Sequence, residues 1–250
     1  GSSGRLVRRR PGWSSQAWVI LAKDVAIELR TREVVTTSAF FAALIVIVAS
    51  FALHGGPATR ALVAAGVVWL SVAFSAVLAL GRAWQREREE SALDGLLVSP
   101  VSRSAIFVGK ALGLALFLFI VELIVIPLTA LLFAVDLPPV ALGLLLIVAF
   151  ATPGTAATGT LFGAMTARTS ARDLILAVVL FPLLAPTLLT AVGATRELLS
   201  GVPLGELGDY FKLLGVFDVV FVAGGVRLFG TLGESRALPA RPRRSPAPHR

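Results

Sequence analysis

The chain has no cysteine, two histidines, one methionine and one tyrosine among its 250 residues. Without cysteine it forms no disulfide, no thiolate metal site and no thiol nucleophile. Two histidines are too few for the clustered histidine–carboxylate constellation of a polytopic membrane enzyme, so the reading names no catalytic residue and no metal ligand. A nucleotide site is also missing. A phosphate-binding loop needs G-x-x-x-x-G-K-[ST], and at the one Gly-Lys pair, Gly109-Lys110, Ser104 stands in the first glycine's place and Ala111 follows the lysine. Charge is sparse as well. Asp, Glu, Lys and Arg make up 15% of the chain, against about 25% in soluble domains.

Hydrophobic residues make up 56% of the chain and the mean hydropathy is +0.85. Apolar runs recur near the roughly 20 residues that cross a bilayer. They predict an all-α integral membrane protein with six transmembrane helices, at residues 36–53, 61–80, 106–135, 140–165, 174–195 and 211–232. The opening Gly1-Ser2-Ser3-Gly4 is set aside as a non-native addition or a truncated start. Residues 1–12 form a basic leader, and residues 13–35 an amphipathic helix on the membrane surface. There Trp18, Leu21, Val25 and Leu29 share a stripe, and Trp13 and Trp18 suit the headgroup zone. Residues 36–235 are the six-span domain, and the Pro- and Arg-rich tail 236–250 is expected to be disordered. The net charge of +8 is read as topology rather than as affinity for nucleic acid. Of the 23 Lys and Arg residues, 20 fall on the side that holds both termini and the loop between spans two and three, and 3 on the other. That split puts both termini in the cytoplasm.

The longest polar interruption, Arg82 to Lys110, is the most patterned stretch. In a helix, Arg86, Glu90 and Asp94 form a charged row at four-residue spacing, joined by Glu87 and Arg88. Ala92, Leu93, Leu96 and Leu97 form one apolar patch, and Ser99-Pro100 ends the segment. A solvated loop has no need of such a patch, whereas a cytoplasmic helix that docks into a partner's groove does. Ser102 or Ser104 is placed to cap the start of span three.

Two carboxylates fall within spans. Glu122 lies twelve residues past Lys110, about 18 Å of helix, and Asp218 eight residues past Tyr210, about 12 Å. In a core about 30 Å thick the two depths coincide within a turn or two. An intramembrane charge must face protein or water. These two either line a translocation path or partner contact, or make structural hydrogen bonds between helices. Pro127 withholds a bond from the Leu123 carbonyl next to Glu122, which points to a polar irregularity there. In span four, Ala151, Thr155, Gly159, Gly163 and Ala167 recur every fourth residue, a stripe along which another helix packs closely, within the subunit or between copies. Pro153 is expected to interrupt span four, and Pro182 and Pro186 to bend span five as a gating transporter would use.

The segment EREESALDGLLVSPVSRSAIFVGKALG is similar to the motif after the second span of type-2 ABC transporter permeases. Together with KDVAIELRTRE, VELIVIPLTALLF, GTLFGAMTARTSARDLILAVVLFPLLAPTLL and FDVVF, the chain resembles the CcmB family, haem exporter protein B of cytochrome c maturation, over about residues 20–230. The resemblance implies that residues 87–97 are a coupling helix against a separate ABC ATPase (CcmA-like), which would hold the ATP. It also implies a haem-handling membrane protein (CcmC-like), a small accessory membrane subunit and a second copy of this chain, in the bacterial inner membrane. Haem itself is expected on the partner. The ligand-type residues here are His54, His249, Met165 and Tyr210, of which only His54 and Tyr210 fall on the outer side, where they read better as interfacial residues. Two other readings remain: an ABC-2 permease exporting a drug, lipid or polysaccharide, and an ion-coupled secondary transporter that uses Glu122 and Asp218.

Overall fold

Inside a bilayer, backbone N–H and C=O groups find no water, so a helix that closes its own hydrogen bonds is the form open to long apolar runs. The structure, a computed structural model, describes residues 12–53, 55–89, 102–166 and 172–234. Among these residues there are seven α-helices and no strand: α1 (Trp13–Thr31), α2 (Glu33–Ala52), α3 (Pro57–Glu89), α4 (Arg103–Leu132), α5 (Ala141–Thr166), α6 (Arg172–Leu199) and α7 (Gly208–Glu234). Single 3-10 turns at Pro138–Val140 and Leu204–Leu207 lead into α5 and α7.

Among the described residues, five helices are long and apolar enough to cross a membrane: those at Glu33–Ala52, Pro57–Arg82, Arg103–Leu132, Pro138–Met165 and Val178–Leu199. This is a multi-pass membrane protein. The sixth predicted span corresponds to α7, which is not among the five; Lys212, Asp218 and Arg227 interrupt its apolar run.

Several boundaries differ from the sequence reading. The surface helix ends at Thr31 rather than at residue 35. Arg32 turns into the left-handed region at φ 53° and α2 starts at Glu33, its Val35 N–H capped by the Glu28 carboxylate at 2.8 Å. The second span does not stop at Leu80. As α3 it continues without a break through Arg86, Glu87 and Arg88, because long charged side chains with good helix propensity prolong a helix once it is nucleated. Pro153 does not interrupt α5, and Pro127, Pro182 and Pro186 also lie inside unbroken helices. In a membrane helix the carbonyls that proline leaves free are met by neighbouring helices and local adjustment.

The bundle is built around α5. Residues 151, 152 and 154–160 are all buried, as expected for a helix that is apolar or small on every side. It packs against α4, α6 and α7, while α3 leans on α2, α4 and α6. Gly159 allows a close approach on that stripe, because a Cβ there would stand 2.7 Å from Leu80 Cδ1 and 3.3 Å from Leu114 Cδ2. Thr155 and Gly163, on the same stripe, are buried too, whereas Ala167 lies outside the described residues. Between α3 and α6, the buried Trp69 donates its indole N–H to Thr195 Oγ1 at 2.9 Å.

α1 is seated on α4 and touches α2 only slightly. The Trp13 indole N–H donates to Ser104 Oγ at 2.9 Å, and the Ser102 N–H to Gln16 Oε1 at 2.9 Å. Lys110 Nζ pairs with Asp24 at 2.9 Å. Ser102 caps α4 by accepting from the Ala105 N–H at 3.3 Å. The seat depends on Gly109, where a Cβ would lie 2.8 Å from both the Ala17 carbonyl oxygen and Ile20 Cβ. A backbone oxygen cannot swing aside, so Gly109→Leu should prise α1 from α4. The expected cost is that of overpacking, about 1–3 kcal/mol. A lowered thermal midpoint in detergent together with faster proteolysis within α1 would register it; an unchanged midpoint would show that α1 is not held there.

Candidate functional site

Three helices bring Glu122 and Asp218 onto one half-turn of α5. Glu122, on α4, is 1% exposed, and Thr152, on α5, is fully buried. The Thr152 hydroxyl lies 2.8 Å from Glu122 Oε1 and 3.0 Å from Oε2, and donates into the carboxyl group. Asp218, on α7, is half-buried, and its Oδ1 is turned toward Gly154 so closely that a Cβ at 154 would collide with it. This buried oxygen has no hydrogen-bond partner. Gly154 is glycine because the carboxylate occupies the space a side chain would need.

Residues 152 and 154 stand two positions apart, about 200° around the helix. Glu122 and Asp218 therefore approach α5 at one level but from opposite sides, with Pro153 between them. Pro153 cannot donate to the Ala149 carbonyl. Two hydroxyls brace the neighbouring backbone: Thr155 Oγ1 donates to the Ala151 carbonyl at 2.9 Å and Thr158 Oγ1 to the Gly154 carbonyl at 2.7 Å. The site is a weak turn in an enclosed stretch of α5, with a carboxylate on each side. Pro127, five residues past Glu122, cannot donate to the Leu123 carbonyl, and the Leu123 side chain is 74% exposed. Pro182 and Pro186 lie on α6 and take no part in this cluster.

The matching depth of Glu122 and Asp218 was legible from residue counting. Thr152 and Gly154 were missed, because one threonine and one glycine in a run rich in both carry no signal until α4 and α7 are known to flank α5. The seat of α1 was missed as well. Asp24 and Lys110 each read as a surface or topology charge, and nothing in the sequence pairs positions 86 residues apart. In the docking segment, Arg86, Glu87 and Arg88 belong to the end of α3, while Glu90, Ala92, Leu93, Asp94, Leu96, Leu97 and Pro100 lie outside the described residues. The described residues hold no group of three or more His, Cys, Asp or Glu side chains able to bind a metal ion. Tyr210 packs against Gly193, whose Cβ would lie 2.8 Å from the ring.

Removing the Thr152 hydroxyl strands a buried carboxyl group. Thr152→Val should destabilise the protein, and Glu122→Leu combined with Thr152→Val should restore part of the loss. Hydrogen bonds between membrane helices average about 0.6 and reach about 1.7 kcal/mol in double-mutant cycles. A cycle on thermal or denaturant unfolding should therefore give a coupling near about 1 kcal/mol; zero coupling would show that the pair contributes nothing.

Sequence comparison places the chain among known proteins. A family model described as CcmB protein matches residues 15–228. The chain is similar to heme exporter protein B of Pseudomonas aeruginosa, 27% identical over 191 residues, covering 74% of this chain and 82% of that protein. It is also similar to heme exporter protein B of Bradyrhizobium diazoefficiens, 25% identical over 207 residues, covering 82% of this chain and 91% of that one. Because the family model takes in α1 from its third residue and every later helix up to the last turns of α7, this chain belongs to the CcmB protein family.

Proposed function

We propose that this chain is the permease subunit of an ATP-driven ABC transporter in cytochrome c maturation. It would couple hydrolysis on a separate ATPase subunit to export of haem or release of a haem-loaded periplasmic chaperone. The observation that carries this reading is the family match over residues 15–228, with two relatives named for haem export. In the reading, α2 to α7 are six spans of the bacterial inner membrane and both termini are cytoplasmic, as the 20-to-3 division of basic residues suggests. The chain supplies no nucleotide site. ATP belongs to a CcmA-like ATPase and haem to a CcmC-like membrane protein, with a small accessory subunit and a second copy of this chain completing the assembly.

The mechanical part follows from the helices. Residues 87–97, of which 87–89 are the end of α3, are the coupling segment, with Leu93 and Leu97 as its anchors in the ATPase groove. The segment is rooted in α3 on one side and in α4 on the other. A push on it moves α4 as a rod, and α1 with it, since the Trp13–Ser104, Gln16–Ser102 and Asp24–Lys110 contacts bind the two. Twelve residues further along, about 18 Å, the same rod carries Glu122 against Thr152. Motion at the cytoplasmic face is thereby delivered to the Pro153 turn.

The test is a pull-down of the tagged chain from mild detergent, with partners identified by mass spectrometry. An ATPase together with a haem-binding membrane protein is the expected recovery. Leu93→Asp and Leu97→Asp should cut ATPase recovery by about tenfold or more while the chain still inserts, consistent with an anchor worth about 2 kcal/mol or more. Glu122→Gln and Asp218→Asn should assemble normally and lower cytochrome c maturation. An ATPase without the haem protein would favour a general ABC-2 exporter. An intact complex with no ATPase would favour an ion-coupled transporter, for which the unpartnered Asp218 Oδ1 is the supporting feature.

A further inference from the structure

α1 and α2 diverge from the Arg32 turn, and both lean on α4 rather than on each other. The wedge between them is a cavity of about 430 Å³, within the roughly 300–1,000 Å³ of small-molecule sites. Its lining divides by chemistry. Near the turn are Lys23, Asp24, Glu28, Arg32 and Lys110; along α4 the wall is Leu114, Leu116, Phe117 and Ile120. From Lys110 to Ile120 is about 15 Å of helix, so one end is charged and the other, a little over a nanometre away, is apolar. Leu116 and Ile120 are 43% and 38% exposed. The apolar end is therefore open sideways.

Both acids at the charged end are engaged. Asp24 holds Lys110 at 2.9 Å and stands 3.8 Å from Lys23, and Glu28 accepts the Val35 N–H. Arg32 is exposed, and its guanidinium has no ion-pair or hydrogen-bond partner among the described residues. The left-handed backbone at Arg32 places this residue at the mouth of the wedge, where the chain turns from α1 into α2.

We propose that the wedge binds one anionic glycerophospholipid, its phosphate on Arg32 and one acyl chain laid along Leu116, Phe117 and Ile120. A lipid matches the features of the cavity: a lateral opening, a cation at the charged end, and an apolar wall of about 9 Å along α4 that the upper part of an acyl chain can follow. An iron porphyrin matches less well, because the lining contains no His, Met, Cys or Tyr. Bound there, the lipid fills the gap between α1 and α2 and holds the surface helix at a set distance from the first span. The inference is independent of the haem reading.

The test is native mass spectrometry of the full chain in mild detergent, titrated in parallel with phosphatidylglycerol and phosphatidylcholine. The wild type should retain one phosphatidylglycerol per chain and bind it roughly fivefold better than phosphatidylcholine, the preference expected of one basic residue near an anionic headgroup. Arg32→Gln should bring the two lipids to parity without altering the thermal midpoint. Gly113→Leu should abolish retention of both. A Cβ at Gly113 meets only ordinary contacts, 3.8 Å to Leu21 Cδ1 and 3.9 Å to Asp24 Cβ, and the rest of the new side chain would enter the cavity. The proposal is overturned if the wild type retains no lipid, if it retains both equally, or if Arg32→Gln keeps the full preference. Undiminished retention by Gly113→Leu would equally remove the lipid from this cavity.

Discussion

α5 is enclosed over residues 151–160 by α3, α4, α6 and α7, so each polar group it carries must find its partner inside the protein. That constraint orders the centre of the bundle. Thr155 and Thr158 turn their hydroxyls back onto carbonyls of their own helix. Thr152 reaches out instead, and its donation into Glu122 is what makes a carboxyl group tolerable at 1% exposure. Gly154 leaves its side of the helix bare, and Asp218 fills the space. The Pro153 turn sits between these two arrangements, so this enclosed helix also contains a built-in weak point. Helices in lipid gain little from burying apolar surface against one another, and polar contacts of this kind together with small-residue packing hold them in place. Gly159 under Leu80 and Leu114 is the packing counterpart of the Glu122–Thr152 bond.

At the basic face the organising contact is the seat of α1 on α4. A surface helix of 19 residues lying free on a membrane would have little influence on a transporter. Fastened to the first turns of α4 at Ser102, Ser104, Gly109 and Lys110, it becomes an outrigger of the rod that leads to Glu122. The Glu33–Arg82 ion pair ties the start of α2 to α3 on the same face. Contacts to α2 and α1 thus hold the helices on either side of the residues between α3 and α4.

The architecture was largely legible in the sequence. Span positions followed from run length and hydropathy, and α2 to α6 overlap the first five expected spans. Boundaries were less legible. Residues 81–89 read as the start of a separate polar segment, yet they continue α3, since a helix does not end where polarity begins but where a breaker or a competing bond appears. The Arg32 turn was overlooked for the opposite reason: the sequence shows no glycine there, and the break is stabilised by Glu28, which accepts from the Val35 N–H seven residues on.

By itself the sequence determined that the chain is helical, spans a membrane several times and carries two carboxylates at similar depth. It also showed the CcmB likeness, because run length, charge placement and motif are local properties. The tertiary structure alone decided that Glu122 is partnered by Thr152 while Asp218 Oδ1 is not. It decided too that the carboxylates meet one proline turn from opposite sides, and that Asp24 belongs to Lys110. Each of these depends on which helices are neighbours and how they are rotated. Lipid-facing and protein-facing positions are equally apolar, so the hydrophobic pattern that orients helices in water carries little of that information here.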